Sequence, residues 1–221
     1  MLKSISALAL PVLMTIANTG LSATIFTEST ITGDSSILNN GTLVVANDLG
    51  AAPSNVTING VTFGTSQSGL TNLSNGGGDF SVDPFSANLD AILSDLVFAP
   101  NSSGAQLNLS GLTNGQDYRL QLLFSNDSNN TGNNINVALG GDSYHLSSWQ
   151  NQAINLQVSF TALGSTQQIQ LNPGAGSNSE TGRAVLNAYA VHQVGVAEPG
   201  TLGLVGLSAL LFAKRRKQRH A

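Results

Sequence analysis

An all-β sandwich carrying one short helix is the fold this sequence predicts, and three observations lead there. Asn, Ser, Thr and Gly dominate residues 24–195, with hardly any of the Lys and Glu that face solvent on surface helices. Apolar residues recur with a period of two in several segments of the second half. Gly-containing turns separate those segments at the spacing a sandwich needs.

The elements follow in chain order. Residues 1–23 have the layout of a secretory signal helix: Lys3 supplies the positive start, residues 5–16 the apolar core, and Ala23 a small residue for cleavage. Leu21 is bulky for that pattern, so a cut after Ser22 or after Ala23 stays open. In VTINGVTF (56–63) an Asn-Gly pair between β-prone arms spells a hairpin. One stretch departs from the strand pattern: Leu89, Ile92, Leu93 and Leu96 stand at helical spacing and predict a short helix over 88–96. In 118–125 Tyr118, Leu120, Leu122 and Phe124 share one face against Arg119 and Gln121. Ile154, Leu156, Val158 and Phe160 alternate with polar residues in the same way, and 134–139 and 168–172 repeat the period. The run 184–192 is apolar on both faces, as a strand covered on both sides would be. Asn114-Gly115, Gly140-Gly141 and Leu163-Gly164-Ser165 mark turns, while NGGGD and NPGAGSNSETG are loops by composition.

Length and charge bound the function. The chain is one domain plus appendages, and it contains no cysteine. Its stability must come from the core, and thiol catalysis, cysteine-ligated zinc and redox chemistry are excluded. The net charge of −4 divides unevenly: residues 24–196 hold eleven acids and two bases, Arg119 and Arg183, for −9, and the remainder carries +5. Two isolated arginines form no basic stripe, so nucleic acid is not a partner.

The stretch LNLSGLTNGQDYRLQLLFSND, then INLQVSFTALGSTQQIQLNPG, then AVLNAYAVHQV, resembles the second half of malectin-like, galactose-binding-type jelly rolls. Gly111, Gly115 and Tyr118 stand where that group has its glycine-rich lead-in to a long strand, at slightly different spacing. The resemblance covers about 107–194 and implies a jelly-roll type of sandwich more than it implies a ligand.

Candidate chemistry is sparse. Asp79, Asp83, Asp90 and Asp95 form the densest acidic stretch; two of them could serve glycoside cleavage at the right separation, but turn and cap duty is the better reading. No Gly-x-Ser-x-Gly elbow occurs, and His145 and His192 fall on separate predicted strands. DSNNTG (127–132) begins like a calcium loop, with Asp127 and Asn129 as candidate ligands. Thr131 replaces the Asp or Asn of that loop and Ala138 stands where its bidentate Glu should be, leaving one carboxylate, so an Asn-rich turn is the better reading and no metal or cofactor is expected. Trp149, the one tryptophan, stands near Tyr144 and His145, and an exposed ring beside polar groups is the usual way to hold a pyranose. A lone Trp is more often a core or rim plug. Seven N-x-[ST] sequons follow from composition alone.

The C-terminus repeats the theme of the N-terminus. Residues 200–213 are uncharged, about 21 Å long as a helix, and therefore marginal as a permanent anchor. Lys214, Arg215, Arg216, Lys217 and Arg219 follow and would be retained on the cytoplasmic side. With Ala197, Glu198 and Pro199 ahead of it, this arrangement resembles the PEP-CTERM sorting signal, in which a Pro-Glu-Pro-like triplet precedes a short apolar helix and a basic cluster. Ala197 replaces the first proline. The resemblance implies a bacterial protein that crosses the inner membrane through the secretion machinery, rests there transiently by its C-terminal helix, and is cut by an exosortase-like membrane protease near the triplet. The expectation is thus a signal peptide (1–23), a sandwich domain (24–195) and a sorting segment (196–221). Such a protein would be non-enzymatic and would reach the cell surface or extracellular matrix for a structural or interaction role. A carbohydrate-binding module for exopolysaccharide is the alternative, and a secreted hydrolase ranks last.

Overall fold

A computed structural model describes residues 23–76, 85–99, 104–125, 134–146, 152–174 and 183–195. Residues 1–22 of the predicted signal peptide and the predicted C-terminal sorting segment (196–221) lie outside the described residues. The strands are β1 (Ile25–Thr30), β2 (Thr42–Asp48), β3 (Val56–Ile58), β4 (Val61–Phe63), β5 (Leu70–Thr71) and β6 (Ser74–Gly76). The helix α1 (Ala87–Ser94) follows, then β7 (Leu96–Phe98), β8 (Ala105–Ser110), β9 (Asp117–Ser125), β10 (Ile135–Leu139) and β11 (Asp142–Leu146). The chain continues through β12 (Ala153–Thr161), β13 (Thr166–Pro173), β14 (Val185–Leu186) and β15 (Ala188–Val194).

Two five-stranded antiparallel sheets make the sandwich, ordered β1-β12-β9-β15-β2 and β11-β10-β13-β8-β5. The period of two explains why they stack. Leu120, Leu122, Leu156 and Val158 of the first sheet meet Leu107, Ile135, Val137, Ile169 and Leu171 of the second in one buried cluster. Each such Leu or Ile contributes about 1.5–3 kcal/mol over an exposed one. Tyr118 anchors one end, where its hydroxyl accepts from the Thr113 amide at 2.7 Å and its ring stacks on Phe160.

The first sheet is covered on its other face too. Leu123, Ala188 and Ala190 point away from the sandwich core into a second cluster with Phe63, Leu89, Ile92 and Leu93. The β3–β4 hairpin and α1 therefore form a third layer, and the predicted two-sided apolarity of 184–192 has its cause there. That run is nonetheless two strands rather than one. Asn187 interrupts it with a fully buried side chain that accepts from the Ser125 amide at 2.6 Å and donates to the carbonyls of Leu93 and Asp95 at 2.8 Å each. β14 leaves for a small sheet, β14-β7-β6.

The hairpin stands where Asn-Gly predicts it, with Asn59 at φ 47° and Gly60 at φ 81°, the left-handed pair that matches strand twist. The helix is shorter than the predicted 88–96. Ser86 caps it by accepting from the Leu89 amide at 3.2 Å, and extended backbone at Asp95 ends it, so Leu96 opens β7 instead.

Candidate functional site

The outward face of the second sheet is an array of neutral polar groups, interrupted at Ala138 of β10. Strand alternation sends Leu107, Ile169 and Val137 inward and leaves Gln106, Asn108, Gln168, Gln170, Asn136 and Asn172 facing out. Register aligns them in rows: Gln168 opposite Asn108, Gln170 opposite Gln106, and Asn136 opposite Asn172. Gln168 Nε2 donates to Gln106 Oε1 at 2.8 Å and to Asn108 Oδ1 at 3.1 Å, and Gln170 Nε2 donates to Gln168 Oε1 at 2.6 Å. Among the described residues, the outward positions of this sheet hold no Asp, Glu, Lys or Arg. The amides steer one another into fixed rotamers while each keeps further donors and acceptors for a ligand.

The three residues singled out for a sugar contact do not share one environment. His145 lies on this amide face, exposed, with Nδ1 2.8 Å from Asn136 Oδ1. Tyr144, one residue earlier, points to the opposite face and clasps the two sheets at their edge. Its ring stacks on Phe26 of β1 at 5.8 Å, and its hydroxyl donates to Glu28 Oε2 at 2.9 Å. That hydrogen bond, with burial, raises the phenol above its ordinary value. Trp149 lies outside the described residues, as do Asp127 and Asn129, Asp79 and Asp83, the triplet Ala197-Glu198-Pro199 and the basic cluster Lys214 to Arg219.

A pocket of about 240 Å³ opens at one end of the sandwich, between the Gly140-Gly141 turn, the turn after β12 and the residues ahead of β1. Leu139, Phe160 and Leu163 line its apolar side, and Asp142, Thr161, Gln167 and Thr24 its polar side. The Thr24 amide donates to Asp142 Oδ2 at 3.3 Å.

Among the described residues, Asp95 of the acidic stretch lies near a carboxylate from outside that stretch, Asp48. Asp95 faces Asp48, at the end of β2, and the two clamp the loop 49–54 from below. Asp48 Oδ2 accepts from the Ser54 amide and Asp95 Oδ2 from the Ala52 amide, both at 2.6 Å. Asp48 is fully buried, and its Oδ1 has no protein partner. Burial first, and the nearby Asp95 charge as well, push its carboxyl up to about 7 against the lowering pull of the Ser54 amide. The pattern 42–48 reads locally as a plain strand, and no signal there announces what packs over its last residue. His192 is also buried, on the outward face of the first sheet opposite Arg119; burial, then that guanidinium, hold its imidazole below the ordinary value. His145 and His192 lie in different sheets, so the fold does not pair them.

No protein-family model matches the chain, and no curated protein matches it in sequence. Solved structures do match in fold. The plant receptor-like kinase ANX2 aligns with TM-score 0.56 at 11% identity, over 70% of this chain and 49% of that one. The ANXUR2 extracellular domain from Arabidopsis thaliana gives 0.54 at 11% identity, over 70% and 49%. Bacteroides uniformis beta-glucuronidase 2 gives 0.51 at 15% identity, over 68% of this chain and 18% of the enzyme. The chain therefore spans about half of the receptor chains it matches. At these identities the likeness is one of fold: a β-sandwich similar to the malectin-like domains of plant receptor kinases.

Proposed function

We propose that this protein is an exported, jelly-roll-type sandwich of a bacterial cell surface or extracellular matrix, that it acts by interaction rather than catalysis, and that its partner is a neutral polysaccharide lying across the amide face of the second sheet. The observation that carries the reading is that face, with its cross-bonded Gln106, Gln168 and Gln170 and its lack of fixed charge. Sugar hydroxyls donate and accept, as carboxamides do. Rotamers already held by neighbouring amides lose little entropy on binding. Strands about 4.8 Å apart repeat at nearly the step of one sugar in an extended chain, so successive rows can meet successive units. An acidic polymer is disfavoured by a body of net −9.

Delivery rests on the two ends of the sequence. The N-terminal signal pattern and the PEP-CTERM-like segment at Ala197-Glu198-Pro199 and beyond supply export and sorting by an exosortase-like protease. A non-catalytic role is supported by the use made of Asp48 and Asp95: each spends an oxygen on a backbone amide beneath a loop, away from the pocket.

Retention of residues 24–195 on immobilised neutral and acidic polysaccharides tests the reading. Neutral polymers should retain the protein, and replacing Gln106 and Gln168 together by Ala should weaken retention at least about tenfold, at roughly 1 kcal/mol per hydrogen-bonding amide. Failure to bind any neutral polysaccharide, or undiminished binding by the double variant, rejects it.

A further inference from the structure

We infer that the chain is cut between Ala23 and Thr24, and that the α-ammonium so created on Thr24 closes onto Asp142 as a latch between the two sheets. The inference rests on the export reading and goes beyond it by naming the bond and what its cleavage does to the fold. Thr24 N already lies 3.3 Å from Asp142 Oδ2. The next residue, Ile25, begins β1 and pairs with Ser159 in the first sheet, whereas Asp142 opens β11 at the edge of the second. No backbone pairing joins the two sheets at this edge, where β1 and β11 are tied by the Tyr144–Glu28 hydrogen bond; the Thr24–Asp142 contact adds a second tie at the mouth of the end pocket.

Hydrolysis adds water across the Ala23–Thr24 amide. Ala23 leaves with a carboxylate, and Thr24 keeps an amine that takes up a proton at neutral pH. A neutral N–H···O contact thereby becomes a charge-assisted pair. The charge inventory makes the new cation matter. Residues 24–195 contain no lysine, and their two arginines are engaged elsewhere: Arg119 donates to Asn40 Oδ1 at 3.2 Å, and Arg183 lies over the Phe98 ring at 5.2 Å. The α-ammonium is thus the one primary amine of the body and its third fixed positive charge, placed against a carboxylate with no other cation among the pocket residues. A cut after Ser22, the other bond the sequence leaves open, would set Ala23 between the charge and Asp142.

The mass of the N-terminal peptide of the exported protein reads the bond directly. Thr24 in first place is the expected result. Any other first residue in a shortened chain overturns the assignment while leaving export intact, and a retained Met1 overturns export itself. The latch is read by acylating the α-amine of the exported protein and of Asp142→Asn, with peptide mass confirming the site. Acylation should lower Tm by about 1–3 °C in the parent and leave the variant unmoved. Equal shifts in both proteins, or none in the parent, overturn the latch.

Discussion

Asp48 stores a pH dependence in a single side chain. Its folded pKa, about 7, stands above the ordinary 3.8 because the carboxyl is buried with one oxygen unpartnered and Asp95 nearby. Below about pH 4 both the folded and unfolded chains hold the proton, and the site costs nothing. As pH rises toward 7 the unfolded chain releases it while the folded chain retains it, so stability falls through that window and levels off above it. That rise corresponds to at most about 4 kcal/mol. Asp48→Asn removes the charge and keeps a carbonyl oxygen for the Ser54 amide. It should raise Tm at pH 8 and flatten the decline between pH 4 and 7, as measured by thermal melts across that range. An unchanged slope would place the pH dependence elsewhere. His192 adds a smaller contribution of the same direction-dependent kind: its depressed pKa means that the folded state resists protonation, so its share of stability is lost as pH falls through the ordinary imidazole range.

Elements differ in how far their own residues specify them. The β3–β4 turn is specified almost wholly by Asn59 and Gly60, because both must adopt positive φ. A Cβ on Gly60 would meet nothing within 4 Å, so Gly60→Ala isolates the backbone cost and should destabilise by about 1 kcal/mol in urea melts. A loss above about 3 kcal/mol would mean that the turn holds more than its own conformation. The same legibility extends to α1, whose Leu89, Ile92 and Leu93 spacing and Ser86 cap are local, and to β9 and β12, whose alternation names their core face. It fails where the deciding partner is distant in sequence. The amides of 168–172 read as a solvent face, but only pairing with β8 shows that they build a bonded array. Strand alternation already separates Tyr144 from His145, but only Phe26 and Glu28 of distant β1 show that Tyr144 clasps the sheet edge. Asn187 reads as one polar residue in an apolar run, yet three buried backbone groups from two other elements depend on it.

At the scale of the whole molecule, charge divides the sequence into parts of opposite sign, to which the proposed sorting assigns different fates. The body carries −9 and the ends +5, and the basic residues of the tail follow an uncharged run too short to hold a span firmly. Positive charge beside an apolar segment resists translocation, so an intact tail would stall the chain at the membrane with Lys214 to Arg219 on the cytoplasmic side. The acidic, amide-faced body has no comparable attraction to an anionic bilayer and would be free to leave if the tail is removed as proposed. Replacing Glu198 and Pro199 by Ala should therefore shift the protein from the surface or medium to the membrane fraction, with residues 214–221 retained by mass. The body's melting curve should stay the same, because the sandwich described here ends before the triplet. A variant that is still released and shortened would show that these two residues do not direct the cut. A released protein that keeps Lys214 to Ala221 would show that export here does not depend on removing the tail at all.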